Sequence, residues 1–220
     1  MLRVAIDGPG GTGKSTIAKA VAERLGLEYI DTGAMYRSIA LKSIRLSVPV
    51  DDEPKVIEML ADTVIDFNDN KVYLDGEDVS GQIRTNEISM AASTISKLGP
   101  VRAKVDEVSK RLAATKDVVM EGRDIGTAVI PDAEVKIFMT AAPEIRAKRR
   151  YEQLVAAGKP ANLEEIKEDI EKRDYQDSHR EINPLKQADD AVYMDTSDMS
   201  IDENIDAVCA VIADKTGRDV

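Results

Sequence analysis

The chain has 220 residues, of which 43% are hydrophobic and 32% charged, and its formal net charge at pH 7 is −11. This length suits one domain with insertions, and the acidic balance argues against nucleic-acid or membrane partners, because both bind through a positive footprint. No segment approaches the roughly 20 consecutive apolar residues of a membrane-spanning helix.

Two further features bound the class of protein. Cys209 is the only cysteine, so an intramolecular disulfide and a cysteine-built zinc site are excluded, and we expect a buried structural thiol. The N-terminal residues MLRVAIDG lack the layout of a secretory signal, so we expect a cytoplasmic protein. No long apolar helix face is left unused, and we expect a monomer.

Five short apolar runs predict strands that are buried on both faces of a sheet. They are Arg3–Ile6, Leu27–Ile30, Val118–Met120, Val135–Met139 and Ala191–Met194. Helix-period patterns lie between them, one closed by Gly26 and another opened by Pro100. Strands that alternate with helices indicate an α/β fold with a doubly wound, five-stranded parallel sheet and right-handed crossovers.

Two stretches break this rhythm. The stretch Val64–Val79 has two strand-like runs around Asn-Asp-Asn, which predicts an inserted antiparallel hairpin. The stretch Arg146–Arg173 is highly charged and predicts two helices around a loop at 157–160, with too little apolar surface to pack firmly. We therefore divide the single domain into three parts. They are a core (about 1–60, 95–145 and 181–220), an insertion (about 61–94) and a lid (about 146–180).

The segment AIDGPGGTGKST, residues 5–16, matches the phosphate-binding pattern G-x-x-x-x-G-K-[ST] between a strand and a helix. In such a loop, backbone N–H groups and the helix N-terminus cradle phosphate oxygens, Lys14 reaches the outer phosphates and Ser15 can hold Mg²⁺. The predicted nucleotide-binding residues are Gly8, Pro9, Gly10, Gly11, Thr12, Gly13, Lys14, Ser15 and Thr16.

A phosphate cradle does not by itself define the reaction. The N-K-x-D guanine reader of GTPases is missing, since Asn70-Lys71 continues with Val72 and Tyr73. Remodelling ATPases are usually larger domains. The small size favours a kinase for a small acceptor, while a P-loop regulatory ATPase stays open as a second class.

Several arginines predict an anionic acceptor. Arg123 follows a buried strand at the sheet edge where doubly wound folds bind ligands. Arg102 opens a helix, where a cation opposes the macrodipole unless an anion lies nearby. A solvated helix face is the alternative for Arg37, and an ion pair with Asp169 is the alternative for Arg173.

The sequence RAKRR places Arg146, Arg149 and Arg150 on one helix face. Such a run is either solvated or part of a lid that lowers cations onto the transferring phosphates. His179, the only histidine, has no partner cluster, and we do not expect it to act as a base.

Motifs across nearly the whole chain resemble the bacterial cytidylate kinase family of nucleoside-monophosphate kinases. They are DGPGGTGKST, DTGAMYR, LDGEDVSGQIRT, EGRDIGT, PDAEVKIFMTA, RAKRR and KRDYQDSHREINPL, in the order of that family. The resemblance implies a P-loop NTPase-type fold in which the inserted β segment binds the monophosphate. It also implies transfer of the γ-phosphoryl group of Mg·ATP to CMP or dCMP.

The resemblance also implies residue roles. Contacts to the CMP phosphate fall to Arg37, Arg123 and Arg180, reading of the cytosine edge to Ser93, Arg102 and Asp124, and contacts near the sugar to Arg173 and Asp177. Thr32 and Tyr36 of DTGAMYR join the acceptor site. The implied catalytic residues are Lys14, Arg123, Arg149, Arg150 and Arg173.

One position departs from the family. Relatives often have Asp before Gly-Arg-Asp, where this chain has Glu121. Its carboxylate either helps to hold hydrated Mg²⁺ or pairs with a nearby basic residue. The preference between CMP and dCMP, the use of UMP and the choice of donor triphosphate are not fixed by the sequence, and a P-loop kinase for another monophosphate or a small metabolite is the alternative function.

Overall fold

Strands and helices alternate along the chain in a computed structural model that describes residues 1–218. The strands are β1 (Arg3–Asp7), β2 (Glu28–Asp31), β3 (Ile65–Asn68), β4 (Lys71–Leu74), β5 (Glu77–Asp78), β6 (Val118–Gly122), β7 (Val135–Thr140) and β8 (Val192–Asp195). The helices are α1 (Lys14–Leu25), α2 (Thr32–Arg45), α3 (Glu53–Ala61), α4 (Asn86–Ile95), α5 (Gly99–Ala113), α6 (Pro143–Ala156), α7 (Leu163–His179) and α8 (Ile201–Thr216). A five-residue π-helical turn spans Ile125–Val129.

The central sheet has five strands in the order β2-β6-β1-β7-β8, and all neighbours are parallel. The predicted doubly wound sheet and its five strands are therefore confirmed. Each strand ends one or two residues beyond its apolar run. The reason is that backbone hydrogen bonds continue into polar residues such as Asp7 and Asp31, which lie at the sheet edge.

The two faces of the sheet are covered by different helices. Helices α1 and α8 pack on one face through side chains such as Ile17 and Val208, both essentially without exposed surface. Helices α2, α3, α4 and α5 cover the other face together with the small sheet. Cys209 is a free, buried thiol on α8, as expected.

Local sequence fixes the helix ends. Gly26 closes α1 in the left-handed region (φ 66°), which glycine adopts without steric cost. The side chain of Asp31 accepts a hydrogen bond from the Ala34 amide at 3.0 Å and so caps α2. Asp31 and the start of α2 are thereby held at the edge where β2 ends.

The insertion forms a three-stranded antiparallel sheet, β3-β4-β5, instead of the predicted two-stranded hairpin. The turn lies at the predicted Asn-Asp-Asn, with positive φ at Asp69 and Asn70. The third strand has only two residues, both acidic, so it carries no apolar alternation that could reveal it. The Asn70 side chain accepts a hydrogen bond from the Tyr29 amide of β2 at 3.1 Å, which ties the insertion to the core.

The charged stretch that predicts two helices around a loop lies on α6, on α7 and on the loop between them, which includes the predicted 157–160. No residue of α7 is buried, in agreement with its thin apolar content. Within residues 1–218, none of the helices has the length and apolarity that a bilayer-crossing segment requires.

Candidate active site

Predicted site residues gather at the carboxyl edge of the parallel sheet. The glycine-rich loop follows β1, Thr32 follows β2, and Arg123 and Asp124 follow β6. Thr196, which follows β8, donates to the Thr12 carbonyl at 2.9 Å and joins the fifth strand to this loop. Carboxyl ends of parallel strands meet at one edge, so segments distant in sequence form one crevice.

The glycine-rich loop has a backbone that other residues would not tolerate. Gly8 has φ 145°, and a β-carbon there would collide with the Met139 carbonyl of β7. Gly11 and Gly13 also have positive φ, 81° and 94°. Bare backbone at these positions lets the N–H groups face a ligand directly.

Lys14 is buried at the start of α1, with 4% of its surface exposed. Its Nζ donates to the Pro9 carbonyl at 2.6 Å and lies 3.4 Å from the Thr12 hydroxyl. Burial, followed by repulsion from Arg123, lowers the pKa of Lys14 to about 7. An anionic ligand at this loop would oppose both effects and restore the charge.

Glu121 lies on β6, also buried. The Tyr29 hydroxyl donates to its Oε1, and burial and the nearby Asp31 charge raise the pKa of Glu121. No Lys, Arg or His of residues 1–218 lies within 4.0 Å of it as an ion-pair partner, so the basic-partner alternative is not found in this structure.

A magnesium ion fits the oxygen donors present here. Ser15 is exposed at the first turn of α1, and its hydroxyl is close enough to Glu121 to lower the pKa of that carboxyl. Mg²⁺ prefers oxygen ligands, keeps several waters and needs few protein groups beside substrate phosphates. Among the described residues, no group of three or more His, Cys, Asp or Glu side chains is arranged to hold a metal ion.

Asp124 and Arg102 form a buried ion pair, with Nη2 of Arg102 2.6 Å from Oδ2 of Asp124. Nη2 of Arg180 lies 2.9 Å from the other carboxylate oxygen. The Arg102 guanidinium also lies over the Tyr36 ring, 5.8 Å from its centroid. Its Nε and Nη1 are buried without a hydrogen-bond partner among the described residues. Since buried donors are normally satisfied, these two nitrogens are available to an acceptor.

Two more predicted arginines are held by carboxylates. Nη2 of Arg37 donates to Asp31 at 2.6 Å, and Nε of Arg123 donates to Asp177 at 2.9 Å. The Nε of Arg37 is buried and unpartnered among the described residues. Arg173 has an exposed side chain. Even so, the protein atoms around its guanidinium, and then the charges of Arg123 and Arg150, lower its pKa. Arg173 forms no ion pair with Asp169 within the described chain, so that alternative is not found either.

The three arginines of RAKRR have different surroundings. Arg146 is buried and donates to the Gly10 carbonyl at 3.1 Å. Arg149 is partly buried and donates to the Thr196 carbonyl at 2.6 Å. Arg150 is exposed, and its one side-chain hydrogen bond within residues 1–218 is to Gln153 of its own helix, at 2.7 Å. A uniformly solvated helix face is therefore wrong for this run.

Four further residues considered in the sequence analysis have different surroundings. Ser93 is on α4, and its hydroxyl makes no hydrogen bond to any described residue. Thr16 is exposed on α1. Thr32 is buried and donates to the Glu121 carbonyl at 2.8 Å, which joins β2 to β6. His179 is exposed and stacks on Tyr175.

Sequence reasoning left out three polar residues of this crevice. Asp7 is buried at the end of β1, and burial raises its pKa to about 6 despite two backbone N–H donors. Asp174 pairs with Arg146, and Thr196 bridges the glycine-rich loop and β7. Asp7 was detectable in principle, as an acidic residue that ends a buried strand; the other two depend on tertiary contacts.

Comparison with known proteins identifies the family. A family model described as cytidylate kinase matches residues 4–214. A cytidylate kinase of Lactobacillus johnsonii is 47% identical over 219 residues, 98% of this chain and 95% of that protein. A cytidylate kinase of Chlorobaculum tepidum is 50% identical over 211 residues, 93% of this chain and 90% of that protein.

Solved structures support the fold class. A shikimate kinase from Bacteroides thetaiotaomicron aligns with a TM-score of 0.50 at 13% identity, covering 96% of this chain and 98% of its own. An uncharacterized protein from Eubacterium ventriosum aligns with a TM-score of 0.53 at 11% identity, covering 97% and 98%. At these identities the likeness concerns the fold alone.

Proposed function

The chain belongs to the cytidylate kinase family, and we propose that it transfers the γ-phosphoryl group of Mg·ATP to CMP or dCMP, giving ADP and CDP or dCDP. The observation that carries this proposal is the buried Arg102–Asp124 pair, in which two nitrogens of Arg102 have no hydrogen-bond partner among the described residues. A pair of this kind offers donors and an acceptor side by side, which is what the edge of cytosine requires.

Base selection follows from this pairing of groups. Cytosine accepts hydrogen bonds at O2 and N3 and donates one from its amino group. Arg102 supplies the donors and Asp124 supplies the acceptor, and Ser93 is assigned to the same role as Asp124. Uracil would place a carbonyl against the Asp124 carboxylate, and an unpaired buried acceptor costs about 1–3 kcal/mol. Discrimination against UMP is therefore substantial but finite.

The monophosphate group is assigned to Arg37, Arg123 and Arg180. In this structure each lies against a carboxylate, of Asp31, Asp177 and Asp124 respectively. A phosphate can share these guanidinium groups because each has more than one N–H donor. Asp177 and Arg173 are assigned to the sugar, with Thr32 and Tyr36 lining the site.

The donor triphosphate is assigned to the glycine-rich loop, residues 8–16. Its backbone N–H groups and Lys14 neutralise the phosphates, and Ser15, with Glu121 beside it, would hold Mg²⁺. The chemistry that such an ion would supply is neutralisation of charge on the transferred phosphoryl group. The acceptor is an already ionised phosphate oxygen, so the protein needs no general base and acts by alignment and charge neutralisation.

The lid is assigned to closure over the two nucleotides. Arg149 and Arg150 on α6 and Arg173 on α7 would approach the transferring phosphates, and closure would exclude water and limit ATP hydrolysis. The division into core, insertion and lid, a monomeric state and a cytoplasmic location belong to the same proposal.

An acceptor panel tests the proposed function. ADP release is measured with ATP and magnesium in the presence of each of CMP, UMP, AMP and GMP, and then of dCMP. We expect CMP to give the highest kcat/KM, UMP a lower value and the purine monophosphates background rates. A preference for another monophosphate would move the assignment to a different acceptor, and ATP hydrolysis indifferent to all of them would indicate an ATPase.

A further inference from the structure

Asp7 is a buried carboxylate to which the proposed function gives no task. It is the last residue of β1, directly before Gly8, with 5% of its surface exposed. Its Oδ1 accepts a hydrogen bond from the Ile125 amide at 2.8 Å, and its Oδ2 accepts one from the Gly126 amide at 2.7 Å. Both carboxylate oxygens are thus used by two consecutive backbone N–H groups.

These two amides open the π-helical turn Ile125–Val129, which directly follows Asp124. Among the described residues, no other side chain bonds to them. Bonds to an ionised acceptor are roughly twice as strong as neutral ones. The carboxylate of Asp7 therefore sets where the backbone after Asp124 begins its turn.

Asp7 is itself held firmly. Strand β1 lies between β6 and β7 in the sheet, and Asp7 pairs with Gly122 on one side and Phe138 on the other. Gly8 lies so close to the Met139 carbonyl that no side chain fits between them. The carboxylate is therefore a fixed point against which the turn is placed.

Asp124 is consequently held from two directions. Arg102 and Arg180 lie against its carboxylate, while Asp7 fixes the two residues that follow it. A small movement of the turn would shift the Asp124 carboxylate relative to the donors of Arg102. A hydrogen-bond reader of one base edge requires these groups to keep their spacing.

We propose that Asp7 is a positioning residue for base selection: without touching substrate, it anchors the turn after Asp124 and thereby keeps the Arg102–Asp124 pair in register with cytosine. This inference rests on the proposed function, since it concerns how that same site distinguishes bases. It also links the strand that carries the donor loop to the residue that reads the acceptor.

The direct test is Asp7→Asn. The amide keeps the shape of the side chain but accepts at one oxygen only, so one buried N–H loses its partner. We expect the ratio of kcat/KM for CMP to that for UMP to fall about tenfold, one power of ten in discrimination. CMP and UMP are phosphorylated from the same ATP site. Any effect of Asp7→Asn on Lys14 therefore changes both kcat/KM values alike and cancels in their ratio.

Asp117→Asn is the matched control. Asp117 accepts a hydrogen bond from the Leu2 amide at 2.7 Å, at the opposite end of β1 from the crevice. The control makes the same carboxylate-to-amide change at a residue that accepts from a single backbone N–H away from the crevice, and we expect it to leave the CMP-to-UMP ratio unchanged. An Asp7→Asn enzyme that is active with a wild-type ratio would overturn the inference, as would an equal fall of the ratio in the control.

A measurement on the wild-type protein covers the case in which Asp7→Asn does not fold. The inference predicts slow hydrogen exchange for the Ile125 and Gly126 amides without nucleotide, comparable with the amides of β6. Exchange as fast as that of the exposed lid would contradict it. Failure of the wild-type enzyme to phosphorylate CMP would instead contradict the proposed function.

Discussion

Arg146 and Asp174 form a two-point ion pair between α6 and α7, with Nη1 3.1 Å and Nη2 2.6 Å from the two carboxylate oxygens. Arg146 is buried and also bonds to the Gly10 carbonyl of the glycine-rich loop. Helix α7 contributes no buried residue. This pair therefore connects α7 directly to the glycine-rich loop, to which we assign the donor phosphates.

We expect Asp174→Asn to loosen α7. It removes the charge that faces the buried Arg146 guanidinium and leaves one acceptor oxygen instead of two, so the contact should weaken by about 1.5–3 kcal/mol, the size of a hydrogen bond to a charged group. Hydrogen exchange across Leu163–His179 should accelerate, and kcat should fall more than the affinity for CMP. The control is Glu144→Gln, which breaks the exposed Glu144–Lys167 pair between the same two helices, 2.8 Å apart. A surface pair contributes about 0–1 kcal/mol, so equal effects of both variants would contradict this account.

Base discrimination should depend on Asp124. In Asp124→Asn an N–H donor can meet the uracil carbonyl, so the preference for CMP over UMP should fall by about 1–3 kcal/mol, roughly five- to 150-fold. The ratio of kcat/KM values measures this. Asp106→Asn is the matched control. Asp106 lies on α5, close enough to Asp124 to feel its charge, yet it forms no ion pair within the described chain. An unchanged ratio in Asp124→Asn would remove this residue from base reading.

Binding of ATP should take up a proton above neutral pH. The pKa of Lys14 is lowered to about 7 by burial and then by Arg123, so at about pH 8 the free enzyme holds this amine mostly neutral. Triphosphate raises its pKa and recharges it, so uptake should approach one proton at about pH 8 and fall towards zero at about pH 6.

Calorimetry in buffers of different ionisation enthalpy measures this proton linkage. The Lys14→Met variant supplies the control and should show no uptake at either pH. Proton release by the wild-type enzyme at about pH 8 would show that Lys14 is not the group that responds to the donor.

Replacing Arg149 should lower the stability of the protein and replacing Arg150 should not, although both residues are assigned to the transferring phosphates. Replacing either by Gln should lower kcat with little change in KM for CMP, since their contacts would form on lid closure. Arg149 also bonds to the Thr196 carbonyl, and losing this charged bond costs about 1.5–3 kcal/mol. The Tm of Arg149→Gln should therefore fall by about 2–4 °C per kcal/mol lost, whereas the Tm of Arg150→Gln should stay unchanged. Equal Tm and wild-type kcat in both variants would assign these arginines to a solvated surface.

Patterning predicted the strands, the main helices and the site edge because each rests on local or periodic signals. Apolar runs marked the five strands, and the glycines before Lys14 marked the phosphate loop. The short strand Glu77–Asp78 could not be predicted, because two acidic residues show no alternation of apolar and polar side chains.

The sequence does not predict which of the lid arginines are buried and which are exposed. Spacing put Arg146, Arg149 and Arg150 on one face, yet one is buried under the loop and one is exposed. Their surroundings depend on α7 and on the end of β8, which are distant in sequence. The pairing of Asp174 with Arg146 is likewise set by tertiary packing.

The central claim is that a phosphoryl group passes directly from ATP to CMP across this crevice. Incubation of the purified protein with magnesium, CMP and ATP labelled at its γ-phosphate tests it most directly. We predict that the label appears in the β-phosphate of CDP, with one ADP formed for each CDP. Label released only as inorganic phosphate, with no CDP formed, would contradict the account.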